Sequence, residues 1–299
     1  MREIGPDFTW NYVQRFGFDR SQLPQNLTMA LGTAEVSPLQ VADAYSTFAN
    51  GGFKVTPYYI DRIEDANGKP LSQAHPAIAC AVCVQTEAPD TSGAPHAVHA
   101  RFEDAKRIVA APAVHPASGL DEGVHDGKTL IPKASLAPQI VSPQIAYLLS
   151  DMMADVIRHG TGMRARVLNR DDIAGKTGTT NDEHDAWFSG FNGSLVATVW
   201  TGFDQDRSLG AGEQGARAAL PTWVYFMHAA LAGSPRRPVP VPEGIVTVRV
   251  DPASGLLASA DNPNGIMEKF IEGNLPKAEV YEGPNNNQNQ LNDGDKPLF

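Results

Sequence analysis

The residues with the clearest capacity for chemistry lie together at Ile173-Ala174-Gly175-Lys176-Thr177-Gly178-Thr179-Thr180, one cation with three hydroxyls and two glycines. As a strand with one buried face this stretch is poor. It lacks apolar alternation, and Gly178 adds no packing. Its composition suits a sheet edge that meets a ligand. Lys176 attracts a carboxylate, Thr177 and Thr179 hydrogen-bond it, and Gly178 lets a ligand backbone come close. By itself, Lys-Thr-Gly reads as a surface turn with a solvated lysine, so the neighbouring residues have to decide.

Other chemistry-bearing groups are sparser. Cys80 and Cys83 are the two cysteines of the chain. They read as a disulfide, a reduced pair or half a zinc site with His75, His96 or His99, although the histidine spacing matches no standard finger. His184, in the acidic turn 182–185, reads as solvated rather than catalytic. Asp104, Asp121, Glu122 and Asp126 have no spacing that pairs them for acid–base work. Gly-x-Ser-x-Gly and His-Glu-x-x-His are absent from the sequence, and the phosphate loop fails because Arg170 stands where its first glycine belongs.

The elements that must position the opening stretch are legible around it. Residues 9–16 carry Trp10, Val13 and Phe16 at helical spacing and stop at Gly17. Residues 27–31 form a small apolar patch closed by Gly32. Ser37-Pro38 starts a helix with Leu39, Ala42, Tyr45 and Ala49 on one face, ended by Asn50-Gly51-Gly52. Residues 55–63 read as a strand, turned back by Asn67-Gly68 towards Leu71. Residues 75–135 are rich in proline, alanine and histidine and show no periodicity, which reads as an insertion or partner-binding excursion.

Order returns with a helix capped by Ser142-Pro143. Ile145, Leu148, Leu149, Met152, Val156 and Ile157 share its face, with Met152 and Met153 as core filler. Residues 163–172 read as a basic-then-acidic linker. After the opening stretch, residues 186–191 and 195–203 flank Asn192-Gly193-Ser194 as a hairpin, so three antiparallel strands are expected in sequence. Residues 209–219 read as a loop. Residues 221–231 read as a helix with Trp223, Met227, Ala230 and Leu231 on one face. Residues 245–250 are expected to pair with 255–257, and the Asn- and Gln-rich residues 283–299 read as a disordered tail.

Bulk properties narrow the function. The 299 residues, 42% hydrophobic, suffice for a large core. A net charge of -10 without a basic run argues against nucleic acid as a partner. The sequence offers no secretory leader and no apolar run of membrane-spanning length. The corresponding expectation is a piece of a longer protein, with any membrane attachment supplied by an anchor outside it.

A Lys-Thr-Gly strand after a capped helix and before a hairpin is the context of serine acyltransferases that recognise penicillin, whose companion motifs are Ser-x-x-Lys and Ser-Asp-Asn. No serine in this chain is followed three places later by lysine or two places later by asparagine. The residues therefore offer a carboxylate clamp without a nucleophile.

Several stretches, from Asn26-Leu27-Thr28-Met29-Ala30-Leu31-Gly32-Thr33 through residues 38–52 and 175–181 to Asp185-Ala186-Trp187-Phe188-Ser189-Gly190 and Gly244-Ile245-Val246-Thr247-Val248, resemble class A penicillin-binding proteins of the 1A type. The resemblance runs over about residues 8–275, and the Cys-x-x-Cys pair is similar to that of some members. It implies an α+β (mixed α/β) fold, an antiparallel sheet flanked by helices. The expected divisions are 1–74, 75–137, 138–234, 235–282 and a tail at 283–299. Members are bifunctional cell-wall enzymes anchored at the periplasmic face of the bacterial inner membrane. A glycosyltransferase domain polymerises glycan from lipid II, and a D-Ala-D-Ala transpeptidase domain cross-links stem peptides through an acyl-serine.

This chain resembles the C-terminal part of such a protein, beginning after the second motif. The expectation is therefore a chain inactive alone that needs the preceding part as partner, or a non-catalytic peptide-binding or scaffold remnant of the fold. The resemblance also implies site roles. Lys176 supports the site and the substrate carboxylate, which Thr177 and Thr179 bind, while Gly178 permits close approach. The Thr179 backbone N–H is one oxyanion donor, a group worth about 3 kcal/mol in related chemistry. Stem peptide and β-lactams are the implied ligands, with no cofactor and no metal. The resemblance also implies strands from before the nucleophile and a core helix that carries it, and without them the faces of Trp187, Phe191, Val199 and Trp200 are expected to be partly uncovered.

Overall fold

The computed structural model describes residues 2–80, 84–86, 124–125, 128–132 and 136–278, and it divides into two compact units, residues 1–242 and 243–299. In the first unit, helix α1 (Pro6–Val13) passes into a 3-10 turn, Gln14–Phe16, that Gly17 closes in the left-handed conformation. Helix α2 (Pro38–Ala49) begins where Ser37 and Pro38 place it. The Ser37 hydroxyl accepts the Gln40 N–H at 3.3 Å, and the Gln40 side chain accepts the Ser37 N–H at 2.8 Å. Two otherwise unpaired donors are thereby satisfied reciprocally. At its end the Asn50 side chain holds both the N–H and the C=O of Phe53, each at 2.9 Å.

The strand expected over 55–63 survives only as β1 (Arg62–Glu64), paired antiparallel with β2 (Pro70–Gln73) across the Asn67-Gly68 turn. The partner returned by that turn is four residues long, and Pro57 donates no N–H, so the pairing ends at Asp61, whose carbonyl accepts the Ala74 N–H at 2.7 Å. Short strands β3 (Val84–Thr86), β4 (Val124–His125) and β5 (Lys128–Pro132) form a sheet in the order β3-β5-β4, with β3 parallel and β4 antiparallel to β5. Strands of three, two and five residues are too short to register as a period. Cys80 is disulfide-bonded. Cys83, His96, His99, Asp104, Asp121, Glu122 and Asp126 lie outside the described residues, as do residues 279–299.

Helix α3 (Pro143–Arg158) is capped by Ser142, whose hydroxyl accepts the Ile145 N–H at 3.3 Å. Its buried face differs from the expected one. Ala146, Ser150, Ala154 and Ile157 point inward, whereas Ile145, Leu149 and Met152 are exposed, Met152 by 62%. Small residues at i, i+4 and i+8 bring the helix close to its neighbours. Ser150 fits there because its hydroxyl bonds the Ala146 carbonyl at 2.8 Å. Met153, not Met152, packs against the core.

The central sheet is β6 (Ala174–Thr179), β7 (Ala186–Asn192) and β8 (Leu195–Thr201), antiparallel and in that order, as the sequence predicts. Helix α4 (Gly215–Ala218) lies within the stretch expected to be loop, and α5 (Leu220–Ala230) follows it. Phe188 and Val199 are register partners on the face that α5 covers, and the Trp223 ring stands 4.9 Å from that of Phe188. Its indole N–H donates to the Ala197 carbonyl at 3.1 Å.

Gly190 makes room for this indole. A Cβ there would stand 2.6 Å from Trp223 and 2.8 Å from the Ala174 carbonyl. Met227 and Leu231 continue the buried stripe, but Ala230 faces solvent. On the opposite sheet face Phe191 meets Tyr45 of α2 edge-on at 6.3 Å, and burial pushes the Tyr45 phenol up to about 12. Phe191 is therefore fully buried, contrary to expectation, while Trp187, Val199 and Trp200 are half-buried.

In the second unit, β9 (Ile245–Val250) pairs with β10 (Ile266–Ile271) over its whole length, Ile245 opposite Ile271 and Val250 opposite Ile266. The expected partner, 255–257, makes the expected short return: Leu257 bridges Val250, the Asp251 N–H donates to the Leu256 carbonyl at 2.9 Å, and the Ala258 N–H donates to the Arg249 carbonyl at 3.0 Å. The intervening turn closes on itself. The Asp251 carboxylate accepts the Ala253 N–H and the Ser254 hydroxyl, each at 3.0 Å, and the chain runs on to β10.

Candidate ligand-binding edge

Strand β6 pairs with β7 along one side and has no second strand neighbour among the described residues. It is an edge, as its polar composition suggested. Lys176 is exposed, and its ammonium folds back onto its own strand, donating to the Thr177 carbonyl at 2.9 Å and reaching the Thr177 hydroxyl at 3.4 Å. Gly178 lies opposite Trp187 in register, and a Cβ at Gly178 would stand 3.1 Å from the Trp187 Cβ. A side chain at this position would press on the indole as well as occupy the ligand's side of the strand.

The hydroxyls are oriented by residues that sequence spacing did not bring to them. Thr161, in the Gly160-Thr161-Gly162 turn that ends α3, places its hydroxyl 2.8 Å from that of Thr177. The Thr179 hydroxyl accepts the Gly215 N–H at 3.1 Å from the start of α4. A hydroxyl has one proton to give. Because Thr179 is already an acceptor, its own O–H is left to donate outward. Thr180 turns the chain instead: its hydroxyl accepts the Asp185 N–H at 2.8 Å, and its N–H donates to the Asp185 carbonyl at 3.1 Å. The edge thus presents an ammonium and hydroxyl donors with no carboxylate of its own between residues 174 and 180, an arrangement suited to an anion.

The acidic turn beyond the strand is structural. Asp182 and Glu183 adopt φ of 57° and 52°, and the Glu183 carbonyl accepts the Leu209 N–H at 2.8 Å. His184 is hydrogen-bonded to Asp206, whose carboxylate pulls the imidazole pKa above its ordinary value against a small opposing effect of burial. The Asp185 carboxylate accepts the Trp200 indole N–H at 2.7 Å. These bonds tie the loop before α4 to the end of the β6–β7 connection.

Below the strand, the supposed linker 163–172 contains a 3-10 turn, Met163–Leu168, and then a buried ion pair. Arg170 donates two bonds to Asp172, at 2.8 and 2.7 Å, in a bidentate fork. Asp172 also accepts the Arg237 N–H at 2.7 Å and the Asn192 amide at 3.3 Å. Arg170 reaches on to the Ser234 and Pro235 carbonyls, at 3.0 and 2.9 Å. Burial alone would push the Asp172 carboxyl up, but these donors outweigh it and hold it below the usual carboxylate range. Asn192 in turn closes the β7–β8 turn, accepting the Ser194 and Leu195 N–H groups at 3.0 and 2.9 Å.

Comparison with known proteins places these residues. The family described as penicillin binding protein transpeptidase domain matches residues 2–93, and that described as penicillin-binding protein 1A, C-terminal domain, matches residues 241–280. The chain is 40% identical over 282 residues to penicillin-binding protein 1A of Pseudomonas aeruginosa, covering 92% of this chain and 32% of that protein. It is 37% identical over 246 residues to penicillin-binding protein 1A of Neisseria lactamica, covering 82% of this chain and 24% of that one. The crystal structure of penicillin-binding protein 1A from Haemophilus influenzae superposes with a TM-score of 0.72 at 33% identity, over 93% of this chain and 39% of that chain. The chain thus spans a quarter to a third of the length of these curated relatives.

Proposed function

Because this chain belongs to the penicillin-binding protein 1A family, we propose that it forms part of the serine-type D-Ala-D-Ala transpeptidase of a bifunctional peptidoglycan synthase. The edge Lys176–Thr179 is its carboxylate-binding wall. The observation that carries this reading is the pair of bonds from Thr161 and Gly215, which turn the threonine hydroxyls of an exposed cationic strand towards an incoming anion. In this role Lys176, Thr177 and Thr179 hold the terminal carboxylate of a stem peptide, or the equivalent carboxylate of a β-lactam. Gly178 lets the ligand backbone lie along the strand. The Thr179 N–H stabilises the oxyanion that forms when a serine attacks the scissile carbonyl and D-alanine leaves.

That serine comes from outside these residues, since no serine here is followed by lysine at the third place. The glycosyltransferase activity, the membrane anchor and the placement at the periplasmic face of the inner membrane likewise belong to the whole protein on this reading. Among the described residues no helix is long and apolar enough to cross a membrane.

Labelled penicillin tests the proposal. The chain alone is expected to form no covalent adduct, and co-production with a preceding segment that carries Ser-x-x-Lys and Ser-x-Asn is expected to restore one. An adduct on the chain alone would overturn the division of the site. Failure of the pair to label would favour a peptide-binding scaffold that has lost the reaction. In the labelling pair, Thr161→Val is expected to slow acylation about 5–10-fold, with Thr161→Ser restoring it, the effect of one hydrogen bond that orients Thr177.

A further inference from the structure

Just past the ligand edge, two non-glycine residues in succession, Asp182 and Glu183, hold the left-handed conformation, with φ of 57° and 52°. A residue with a Cβ stays there only where its surroundings fix it. The fixing comes from the 203–214 loop, which is fastened to this turn at three points. The Leu209 N–H donates to the Glu183 carbonyl at 2.8 Å, and the Gly212 N–H to the Glu183 carboxylate at 3.4 Å. The third fastening is the hydrogen bond between the His184 ring and the Asp206 carboxylate.

The loop ends at Gly215, whose N–H the Thr179 hydroxyl accepts. Its bare Cα lies on the backbone of the Gly178–Trp187 register pair. A Cβ there would stand 2.4 Å from the Trp187 carbonyl and 2.6 Å from the Gly178 carbonyl. Where the loop sits therefore decides how Thr179 is aimed. Of the three fastenings, the imidazole is the one whose ordinary pKa lies near neutrality. The charges acting on it are anions that favour its cation: Asp206 across the loop, and Asp182 and Asp185 in its own turn. The neighbouring cation Arg207 lies over the Phe203 ring, 3.5 Å from its centroid. Glu183 is engaged by Gly212, and Glu213 by Arg217 at 3.2 Å.

We propose that His184 is a positioning residue for acyl transfer: as a cation on Asp206 it holds the 203–214 loop in place, and through Gly215 it keeps the Thr179 hydroxyl aimed at the carboxylate of the acyl donor. This rests on the reading of β6 as the carboxylate-binding wall. The sign follows from the ring's surroundings. Its pKa is raised above the ordinary value, so the fastening is complete below that value and is lost as pH rises through the raised one. Asp206 is 87% exposed, so the effect is modest, about threefold in rate.

Second-order acylation by labelled penicillin, followed from about pH 6 to about pH 9 in the assembly that reacts, tests the proposal. Asp206→Asn and His184→Gln are each expected to be about threefold slower than the parent at the acid end and equal to it at the alkaline end. His184→Lys, a cation throughout, is expected to match the parent at the acid end and to be about threefold faster at the alkaline end. In a Thr179→Val background, which lacks the hydroxyl, none of the three is expected to change the rate. In the chain itself, exchange of the Gly215 amide hydrogen, corrected for its intrinsic rate, is expected to quicken about threefold over the same pH range, and not in Asp206→Asn.

Variants that follow the parent at every pH, that slow it equally at both ends, or that act undiminished without the Thr179 hydroxyl would overturn the proposal and leave the β6 reading standing. So would a Gly215 amide indifferent to pH. A Thr179→Val rate equal to the parent's would instead overturn the β6 reading, and the proposal with it.

Discussion

Replacing Trp223 by alanine is expected to remove about 3–5 kcal/mol of stability. The side chain is fully buried between α5 and the sheet, tilted against the Phe188 ring and passing over the hydrogen at Gly190. The surrounding atoms cannot follow it inward. Gly190 is already as close to the Ala174 carbonyl as a residue without a Cβ allows, and β7 is held on both sides by its ladders. A cavity therefore persists. The Ala197 carbonyl, which accepts the indole N–H, also loses a partner in a half-buried strand. Trp223→Phe separates the two contributions, since it keeps most of the volume and gives up only the bond, and about 1–2 kcal/mol is expected. Urea unfolding measures both, and a loss below about 1 kcal/mol for the alanine variant would show that this sheet face collapses freely.

Asp172→Ala is expected to cost a similar amount, about 3–5 kcal/mol, for a different reason. The carboxylate side chain has no exposed surface, and its partner Arg170 retains 11%. Removing the anion leaves a guanidinium, the Arg237 N–H and the Asn192 amide short of an acceptor in a place water does not reach. Three parts of the chain meet there: the entry to β6, the β7–β8 turn and the segment after α5. Arg170→Met with Asp172→Leu is expected to recover most of the loss, because the two charges leave together.

The pH dependence has a definite sign. The folded-state pKa of Asp172 is depressed, so its contribution is fully present above the unfolded value of about 3.9 and disappears as pH falls through the folded value. Unfolding free energy measured from pH 6 down to pH 2 is therefore expected to drop more steeply below about pH 4 in the parent than in the Arg170→Met, Asp172→Leu variant.

How much of this was legible follows from the range over which each signal acts. Ser37-Pro38 and Ser142-Pro143 announced their helices because a cap is a contact among four neighbouring residues. Asn67-Gly68 and Asn192-Gly193 announced their turns for the same reason, and the order β6-β7-β8 followed from two short connections. The polar edge at Lys176–Thr179 was legible because strand periodicity failed there.

The face of α3 was not, since hydrophobicity points to Ile145, Leu149 and Met152 while close approach selects Ala146, Ser150 and Ala154. Strand β10 was missed because Asp251-Pro252-Ala253-Ser254 does turn the chain back, with Leu257 bridging Val250 and the Ala258 N–H donating to the Arg249 carbonyl, and nothing local points past that short return to the longer partner. Thr161 and Gly215 stand 16 and 36 residues from the threonines they orient, and in sequence the first reads only as part of a helix end and the second as part of a loop. The Arg170–Asp172 fork looked like a charged linker because two residues of opposite sign carry no sign of burial in sequence.

The central claim is that Lys176–Thr179 grips the carboxylate of the acyl donor, and Lys176 offers its most direct test. In the assembly that reacts with labelled penicillin, Lys176→Ala is predicted to lower the second-order acylation rate about 100-fold, the loss of one charge-assisted contact to the carboxylate of the acyl donor. Because Lys176 is exposed and bonds only to its own strand neighbour, the thermal midpoint is predicted to stay unchanged. A rate within about twofold of the parent, with the fold intact, would contradict the account and return this edge to an ordinary solvated strand.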